Sequence, residues 1–281
     1  MSASKVVLIT GCSSGIGAAT ADHLAQRGYT VYATARRPDT LAPLVANGCR
    51  AIALDVNDED SMRAAVEQVE AEHGCVGALV NNAGYSQSGA LESIPLDNIR
   101  RQFETNVFGL IRMCQLVLPG MRKAGTGRIV NIGSMGGKLT FPGGGVYHAT
   151  KYSVEALSDA LRFEVQGFGV RVVLIEPGLI VTEFAKTAVG SVDAADADGP
   201  YAAFNKAVGE RTEGAYKGPL SKLGGGPEDV ARVIRRALEA RRPKPRYTVT
   251  PSASLAIAQR RMVSDRFWDR AMRSQFPVPK A

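Results

Sequence analysis

Short apolar runs alternate with amphipathic stretches along most of this chain of 281 residues. The apolar runs are rich in β-branched residues, as is typical of strands buried on both faces of a sheet. They cover residues 6–10, 30–35, 51–54, 78–81, 128–132, 171–175 and 246–249. Apolar residues at helical spacing lie between them, near residues 16–27, 58–72, 97–123, 149–167 and 227–241. This alternation predicts an α/β fold, a doubly wound sandwich with a mostly or fully parallel sheet of about seven strands and helices on both faces.

The alternation ends near residue 250, which predicts one domain over residues 1–250 and an extension over residues 251–281. Residues 183–226 form a long connection, and long connections in compact domains are usually functional or disordered. The next helix is expected to begin at Gly226-Pro227-Glu228, because proline at the first helical position and an acid in the first turn both favour a helix start.

A glycine-rich turn follows the first predicted strand at once, with Gly11, Gly15 and Gly17 before a helical pattern. Such glycines allow a tight turn, a close approach of a diphosphate to the backbone and close packing of helix on strand. The helix N-terminus adds free N–H groups and the positive end of the helix dipole. The spacing G-x-x-x-G-x-G differs from the commonest fingerprint, so the turn alone leaves a purely structural role open.

Tyr147 and Lys151 lie four residues apart in Y-H-A-T-K, thirteen residues after Ser134. Four residues are about one helical turn, so the phenol and the ammonium are expected on one face of a helix. A nearby cation stabilises a phenolate, and we therefore expect Lys151 to lower the pKa of Tyr147. With Ser134 holding a substrate oxygen beside the phenol, the three residues predict proton transfer to or from that oxygen.

The ordered motifs of residues 5–250 resemble the short-chain dehydrogenase/reductase family, in its shorter branch of about one Rossmann domain. The motifs are T-G-C-S-S-G-I-G at 10–17, Asp55-Val56, N-N-A-G at 81–84, Asn106, Ser134, Tyr147 with Lys151, and P-G-L-I-V-T at 177–182. The resemblance implies a Rossmann-fold catalytic domain over residues 1–250 that oxidises alcohols or reduces carbonyls, with residues 183–226 covering the substrate. It implies a catalytic set of Ser134, Tyr147, Lys151 and Asn106.

The same resemblance assigns cofactor contacts by position. Asp55 would bind the adenine amino group, although a helix cap is its alternative role, and Asn106 would hold a water that links Lys151 to solvent. Thr182 would hold the nicotinamide carboxamide. The implied cofactor-binding set is Gly11, Ser13, Ser14, Gly15, Ile16, Gly17, Arg36, Asp55, Val56, Asn82, Ala83, Gly84, Tyr147, Lys151, Pro177, Gly178, Ile180 and Thr182.

The end of the second predicted strand indicates which nicotinamide cofactor is bound. In dinucleotide folds an acid there binds the ribose 2′-OH of NAD, whereas an arginine accommodates the 2′-phosphate of NADP. Ala35 occupies the place of the acid, and Arg36 and Arg37 follow. A guanidinium binds two phosphate oxygens at once, so we predict NADP(H), with Arg36 as the main contact.

The residues expected at the substrate mouth are mostly apolar, namely Tyr85, Met135, Leu139, Phe141 and Phe184. They favour a lipophilic ketone or alcohol, such as a steroid-, retinoid- or acyl-like compound, over a small polar sugar. An NADP(H)-sensing protein without turnover is an alternative from another class. The intact Ser134, Tyr147 and Lys151 argue against it, because a sensor has no need of a proton donor.

Metal chemistry and secretion are not indicated. The three histidines are scattered and the four cysteines lack C-x-x-C spacing, so the thiols are expected to be reduced, with a redox role left open for Cys12 beside the glycine turn. The chain enters its first strand without a signal peptide, and no apolar run approaches the ~18 residues of a membrane span. We expect a cytoplasmic protein, and the resemblance implies a homodimer or homotetramer.

Positive charge is concentrated at the C-terminal end. Residues 241–281 carry a net charge of +8, whereas the whole chain carries +7. Two apolar series at i, i+4, i+8 predict an amphipathic helix there, namely Val263, Phe267, Ala271 and Trp268, Met272, Phe276. Docking on its own domain or on another subunit is favoured over contact with an anionic membrane surface. Nucleic-acid binding is not indicated, since no stacking or groove-reading pattern accompanies the charge.

Overall fold

The computed structural model describes residues 5–193 and 199–279 and contains the predicted parallel sheet. Seven strands, all pairing in parallel, have the spatial order β3-β2-β1-β4-β5-β6-β7. They are β1 (Val6–Ile9), β2 (Thr30–Ala35), β3 (Arg50–Ala53), β4 (Ala78–Asn81), β5 (Gly127–Ile132), β6 (Val170–Pro177) and β7 (Arg246–Val249). The α/β prediction is therefore confirmed, with every strand within a few residues of its sequence-based position.

Helices cover both faces of this sheet, which explains why the strands are apolar without alternation. Val7 and Ile9 of β1 pack into one core with Leu24 and Ile234, while Leu8 packs into the opposite core. The helices are α1 (Gly15–Ala25), α2 (Ala42–Ala46), α3 (Glu59–His73), α4 (Leu96–Phe103), α5 (Gly109–Ala124), α6 (Gly145–Val165), α7 (Phe184–Asp193), α8 (Ala202–Lys217), α9 (Pro227–Glu239), α10 (Pro251–Met262) and α11 (Asp265–Arg273).

The strand order reverses between β1 and β4, which creates a crevice at the carboxyl ends of these strands. Most of the sequence motifs follow the end of a strand on that edge, whereas Asn106, Tyr147 and Lys151 lie on helical segments. The glycine turn follows β1, Asn82 follows β4, Ser134 follows β5 and Gly178 follows β6. The topology thus brings residues from distant parts of the chain to one place.

Three helical regions differ from the sequence-based expectation. The single helix expected over 97–123 is α4 and α5, separated by a π-helical turn at Glu104–Phe108. The long connection 183–226 contains α7 and α8. The extension forms two helices instead of one, because Val263 between them has extended backbone angles. Across the described ranges 5–193 and 199–279, no helix is long and apolar enough to span a membrane.

Candidate active site

A cavity of about 1690 Å³ lies at the carboxyl edge of the sheet. The glycine turn, Arg36 and Asp55 line one part of it, and Ser134 with Tyr147 lines another. Ser13, Ser14, Ile16, Val56, Asn82, Ala83, Gly84, Lys151, Pro177, Gly178, Ile180 and Thr182 also line it. Of the residues expected to bind cofactor, Gly17 alone is not a lining residue, and its part in shaping the cavity is indirect.

Gly17 allows the glycine turn to close. A Cβ atom on Gly17 would lie 2.2 Å from the carbonyl oxygen of Gly11 and 2.5 Å from Nδ2 of Asn82, so no larger residue fits. Gly11 and Gly15 have φ angles of +72° and +58°, which L-residues with side chains rarely adopt. The N-cap of α1, Ser14, makes no side-chain capping bond, and the N–H groups of the first turn are left for another acceptor.

Hydrogen bonds join this turn to the end of β4. Nδ2 of Asn82 donates to the carbonyl oxygens of Thr10 and Gly11, at 3.0 and 2.9 Å. The Thr10 hydroxyl oxygen accepts from the backbone N–H groups of Asn82 and Ala83, both at 3.0 Å. The floor of the cavity is therefore held in one conformation by four bonds between sequence-distant residues.

Arg36 stands exposed at the end of β2, directly after the buried Ala35. Over residues 5–193 and 199–279 its guanidinium takes part in no ion pair, which leaves its donors free for an anionic ligand. Asp55, also a lining residue, accepts a hydrogen bond from the N–H of Asn57 at 3.0 Å. The helix cap of α3 is Asp58, so capping is not the role of Asp55.

Ser134, Tyr147 and Lys151 line the cavity together with Pro177 and Gly178. The Ser134 hydroxyl lies near the phenol of Tyr147 and accepts a hydrogen bond from the N–H of Gly136 at 3.0 Å. Lys151, one turn after Tyr147 on α6, lies with its Nζ 5.8 Å from the centre of the tyrosine ring and donates to the carbonyl oxygen of Ile132 at 2.8 Å. This is the one-face arrangement that the four-residue spacing indicated.

The expected lowering of the Tyr147 pKa was wrong for this structure. Burial raises the pKa of Tyr147, and the nearby Ser134 hydroxyl opposes this rise without overcoming it. Burial also lowers the pKa of Lys151 to about 8. The ammonium of Lys151 donates a hydrogen bond to the backbone carbonyl of Ile132 and does not offset the rise in the pKa of Tyr147. At neutral pH the phenol therefore keeps its proton, as a proton donor requires.

Asn106 lies in the π-helical turn, a feature that often marks functional sites. Its side chain accepts from the N–H of Tyr85 at 3.1 Å and donates to the Tyr85 carbonyl and the Thr150 hydroxyl, at 2.9 and 3.1 Å. The amide thus ties the segment after β4 to α6, directly beside Lys151. Asn106 therefore fixes the distance between the segment after β4 and α6, the helix that carries Tyr147.

Four of the five residues expected to contact substrate line the cavity, namely Tyr85, Met135, Phe141 and Phe184. Leu139 does not: its side chain is fully buried, so its assignment was wrong. Leu139 was placed at the site because it is close to Ser134 in sequence. The turn Met135–Gly137 lies between the two residues, and the chain after this turn enters the core. His148, not assigned a role, also lines the cavity and forms a 2.9 Å hydrogen bond through Nδ1 with the carbonyl of Gly136.

The C-terminal extension forms a further wall that the sequence did not assign to the site. The ring of Trp268, on α11, lies tilted against that of Phe141 with the two ring centres 5.9 Å apart, and its indole N–H donates to the carbonyl oxygen of Thr140 at 3.3 Å. The extension therefore docks on its own domain. Its apolar residues that line the cavity are Leu255, Met262, Val263, Phe267, Trp268, Met272 and Phe276. The apolar series of the tail were the only signal, and they do not name the surface that they cover.

The fold and the cavity are typical of the α/β proteins that bind dinucleotides, and comparisons with known proteins agree. The short chain dehydrogenase family model matches residues 5–191. A 3-ketodihydrosphingosine reductase of Bacteroides thetaiotaomicron is 43% identical over 180 residues, covering 64% of this chain and 65% of that protein. The NADPH-dependent 3-dehydrocapnine reductase of Ornithobacterium rhinotracheale is 33% identical over 278 residues, 95% of each chain.

A solved structure of serine dehydrogenase in its closed form with NADP⁺ is 30% identical, with a TM-score of 0.76, over 87% of this chain and 94% of that one. Family model, relatives and structure all agree with the motifs found in the sequence. The chain belongs to the short-chain dehydrogenase family and is an oxidoreductase of that type.

Proposed function

We propose that this protein is an NADP(H)-dependent oxidoreductase that interconverts a lipophilic ketone or aldehyde and the corresponding alcohol. The observation that carries the proposal is a single cavity with the glycine turn and Arg36 in one part and Ser134 beside Tyr147 in another. Residues 1–250 carry the catalytic groups. The described parts of the segment 183–226 and of the extension 251–281 cover the substrate.

The residues present fit a phosphorylated dinucleotide. The uncapped N-terminus of α1 offers N–H groups to a diphosphate, beside a backbone that only glycine at position 17 allows. Arg36, which forms no ion pair with any residue that the structure describes, suits a 2′-phosphate, since no acid stands at the end of β2. NADP⁺ in the related serine dehydrogenase structure and the NADPH dependence named for the 3-dehydrocapnine reductase support this choice.

Bound NADPH supplies a hydride for the carbonyl carbon, and the residues of this chain handle the proton. Ser134 holds the carbonyl oxygen, and Tyr147 donates its phenolic proton to that oxygen as negative charge develops on it. The alkoxide that forms is a stronger base than a phenolate, so the raised pKa of Tyr147 does not prevent this transfer. The ammonium of Lys151 stabilises the phenolate left behind, and oxidation follows the reverse path.

The pH dependence of reduction follows from Lys151. Its pKa of about 8 lies below the ordinary lysine value because of burial, so the ammonium is present below pH 8 and lost above it. We expect kcat/KM to be level below pH 8 and to fall about tenfold per unit above it. Measured pH profiles test this, with Lys151→Arg as a control whose charge persists and whose profile lacks this limb. A level wild-type profile up to pH 10 contradicts the assignment.

The lipophilic substrate is inferred from the walls of the cavity. Tyr85, Met135, Phe141 and Phe184 line the cavity, and the extension adds Trp268 and its apolar neighbours. Both relatives described above are named as reductases, of 3-ketodihydrosphingosine and of 3-dehydrocapnine. A pocket of this composition gains binding free energy with each buried methylene, about 0.8 kcal/mol.

A series of methyl ketones of increasing alkyl length tests the substrate class. We expect NADPH-dependent kcat/KM to rise with chain length, and Trp268→Ala to lower it about tenfold or more for long ketones while short ones change little. Phe163→Ala is the matched control, because Phe163 is exposed on α6 and does not line the cavity. Preference for small sugars, with no gain from chain length, would overturn the lipophilic assignment.

A further inference from the structure

Three apolar side chains at the cavity mouth belong to both the cavity and the protein surface. Leu255, Met262 and Phe267 line the cavity, yet their exposed fractions are 49%, 85% and 58%. Large apolar side chains that line one cavity and are also exposed differ from isolated surface residues, which need no explanation. Leu255 and Met262 lie on α10, and Phe267 lies on α11.

Exposed arginines surround this apolar rim. Arg266, Arg270 and Arg273 recur at i, i+4 and i+7, on one face of α11, and Arg261 precedes Met262 at the end of α10. In the described part of the chain none of the four makes an ion pair, whereas Arg260 is held internally by Asp265 and the Trp268 ring. We call Leu255, Met262, Phe267, Arg261, Arg266, Arg270 and Arg273 the C-terminal surface.

We propose that the C-terminal surface docks on an anionic lipid bilayer, with the cavity mouth turned toward the lipid. Basic residues are attracted by anionic headgroups within a Debye length, and apolar side chains beside them enter the headgroup boundary. Charge complementarity identifies the occupant. Residues 251–279, which form α10 and α11, carry five arginines against Asp265 and Asp269, a net charge of +3, whereas residues 1–240 carry −1. The continuity of the rim with an apolar cavity favours a lipid surface over an acidic protein.

Vesicle cosedimentation of the full-length protein tests the proposal. We expect binding to phosphatidylcholine vesicles that contain phosphatidylglycerol, weak binding to phosphatidylcholine alone, and loss of binding as salt is raised. Arg261→Glu, Arg266→Glu and Arg270→Glu together should lower the affinity for anionic vesicles about a hundredfold or more. None of these three lines the cavity, so reduction of a short water-soluble ketone should be unchanged.

A matched control reverses the same number of charges elsewhere. Arg241, Arg242 and Lys244 are exposed on the loop before β7, at the opposite edge of the sheet, and their triple change to Glu should leave vesicle binding near wild type. The proposal is overturned if wild-type protein does not bind anionic vesicles, or if both triple variants lose binding equally. Binding to soluble heparin without vesicle binding would also overturn it and would assign the surface to a soluble polyanion.

A double variant tests the contribution of the apolar residues of the C-terminal surface. Met262→Ser with Phe267→Ser should weaken anionic vesicle binding severalfold, since both side chains are more than half exposed. Phe163→Ser, at a residue 77% exposed on α6, is the control for a general loss of surface hydrophobicity. Equal effects at both places would show that insertion does not occur at the cavity mouth.

Discussion

Tyr147→Phe is expected to lower kcat by about 10²- to 10⁴-fold while NADPH binding changes little, because the variant lacks only the proton that the carbonyl oxygen receives. Phenylalanine keeps the ring contacts of Tyr147 with Phe184 and His148, at 5.4 and 5.6 Å. The hydroxyl of Ser134 remains and still contacts the substrate oxygen, so the loss isolates the proton donor. Single-turnover rates and NADPH titration by fluorescence measure the two effects separately.

Tyr152→Phe is the matched control for this variant. Tyr152 follows Lys151 on the same helix, but its side chain is exposed and does not line the main cavity. We expect wild-type turnover from it, since no proton passes through its hydroxyl. Undiminished turnover in Tyr147→Phe would mean that another group supplies the proton and would remove Tyr147 from the mechanism.

Arg36→Asp is expected to shift cofactor preference from NADPH toward NADH. Loss of a charged, bidentate contact costs about 1.5–3 kcal/mol, and the new carboxylate repels the 2′-phosphate, so the NADPH affinity should fall about a hundredfold. The same carboxylate accepts hydrogen bonds from the ribose hydroxyls of NADH, which should bind better than to wild type. Ratios of kcat/KM for the two cofactors measure the shift.

Arg37→Asp controls for the charge change alone. Arg37 is exposed beside Arg36 but does not line the cavity, so we expect its substitution to leave the ratio near the wild-type value. Unchanged NADPH selectivity in Arg36→Asp would contradict the assignment of the phosphate contact. A shift of equal size in both variants would show that net charge, and not contact, sets the preference.

The sheet was predictable because burial on both faces leaves an unmistakable pattern. Runs such as Val6–Ile9 are apolar at successive positions, and the core on each side of the strand accounts for alternate residues. The π-helical turn at Glu104–Phe108 was not predictable, because its apolar spacing continues that of α4 and α5. Helices α7 and α8 lie in a segment whose sequence carries no strong periodic pattern, so their formation depends on the residues against which they pack.

The site was predictable where its residues follow the ends of parallel strands, because those ends share one edge of the sheet. It was less predictable where the packing of helices determines which residues line the cavity. The order of the motifs indicated a shared edge, but not that α10 and α11 would complete the cavity wall. Apolar periodicity shows which face of a helix is apolar and leaves its partner undetermined. The Tyr147 pKa was misjudged for a similar reason: the sequence shows the nearby lysine but not the burial of both groups.

The most direct test of hydride transfer uses NADPH deuterated at C4 of the nicotinamide, on either face, with a long-chain ketone as substrate. The proposed function predicts that one of the two labelled cofactors transfers deuterium to the carbinol carbon of the product alcohol, and that Tyr147→Phe forms this product far more slowly. NADPH that binds tightly but transfers no deuterium to any ketone of the series would contradict the proposed reaction and leave cofactor binding without turnover.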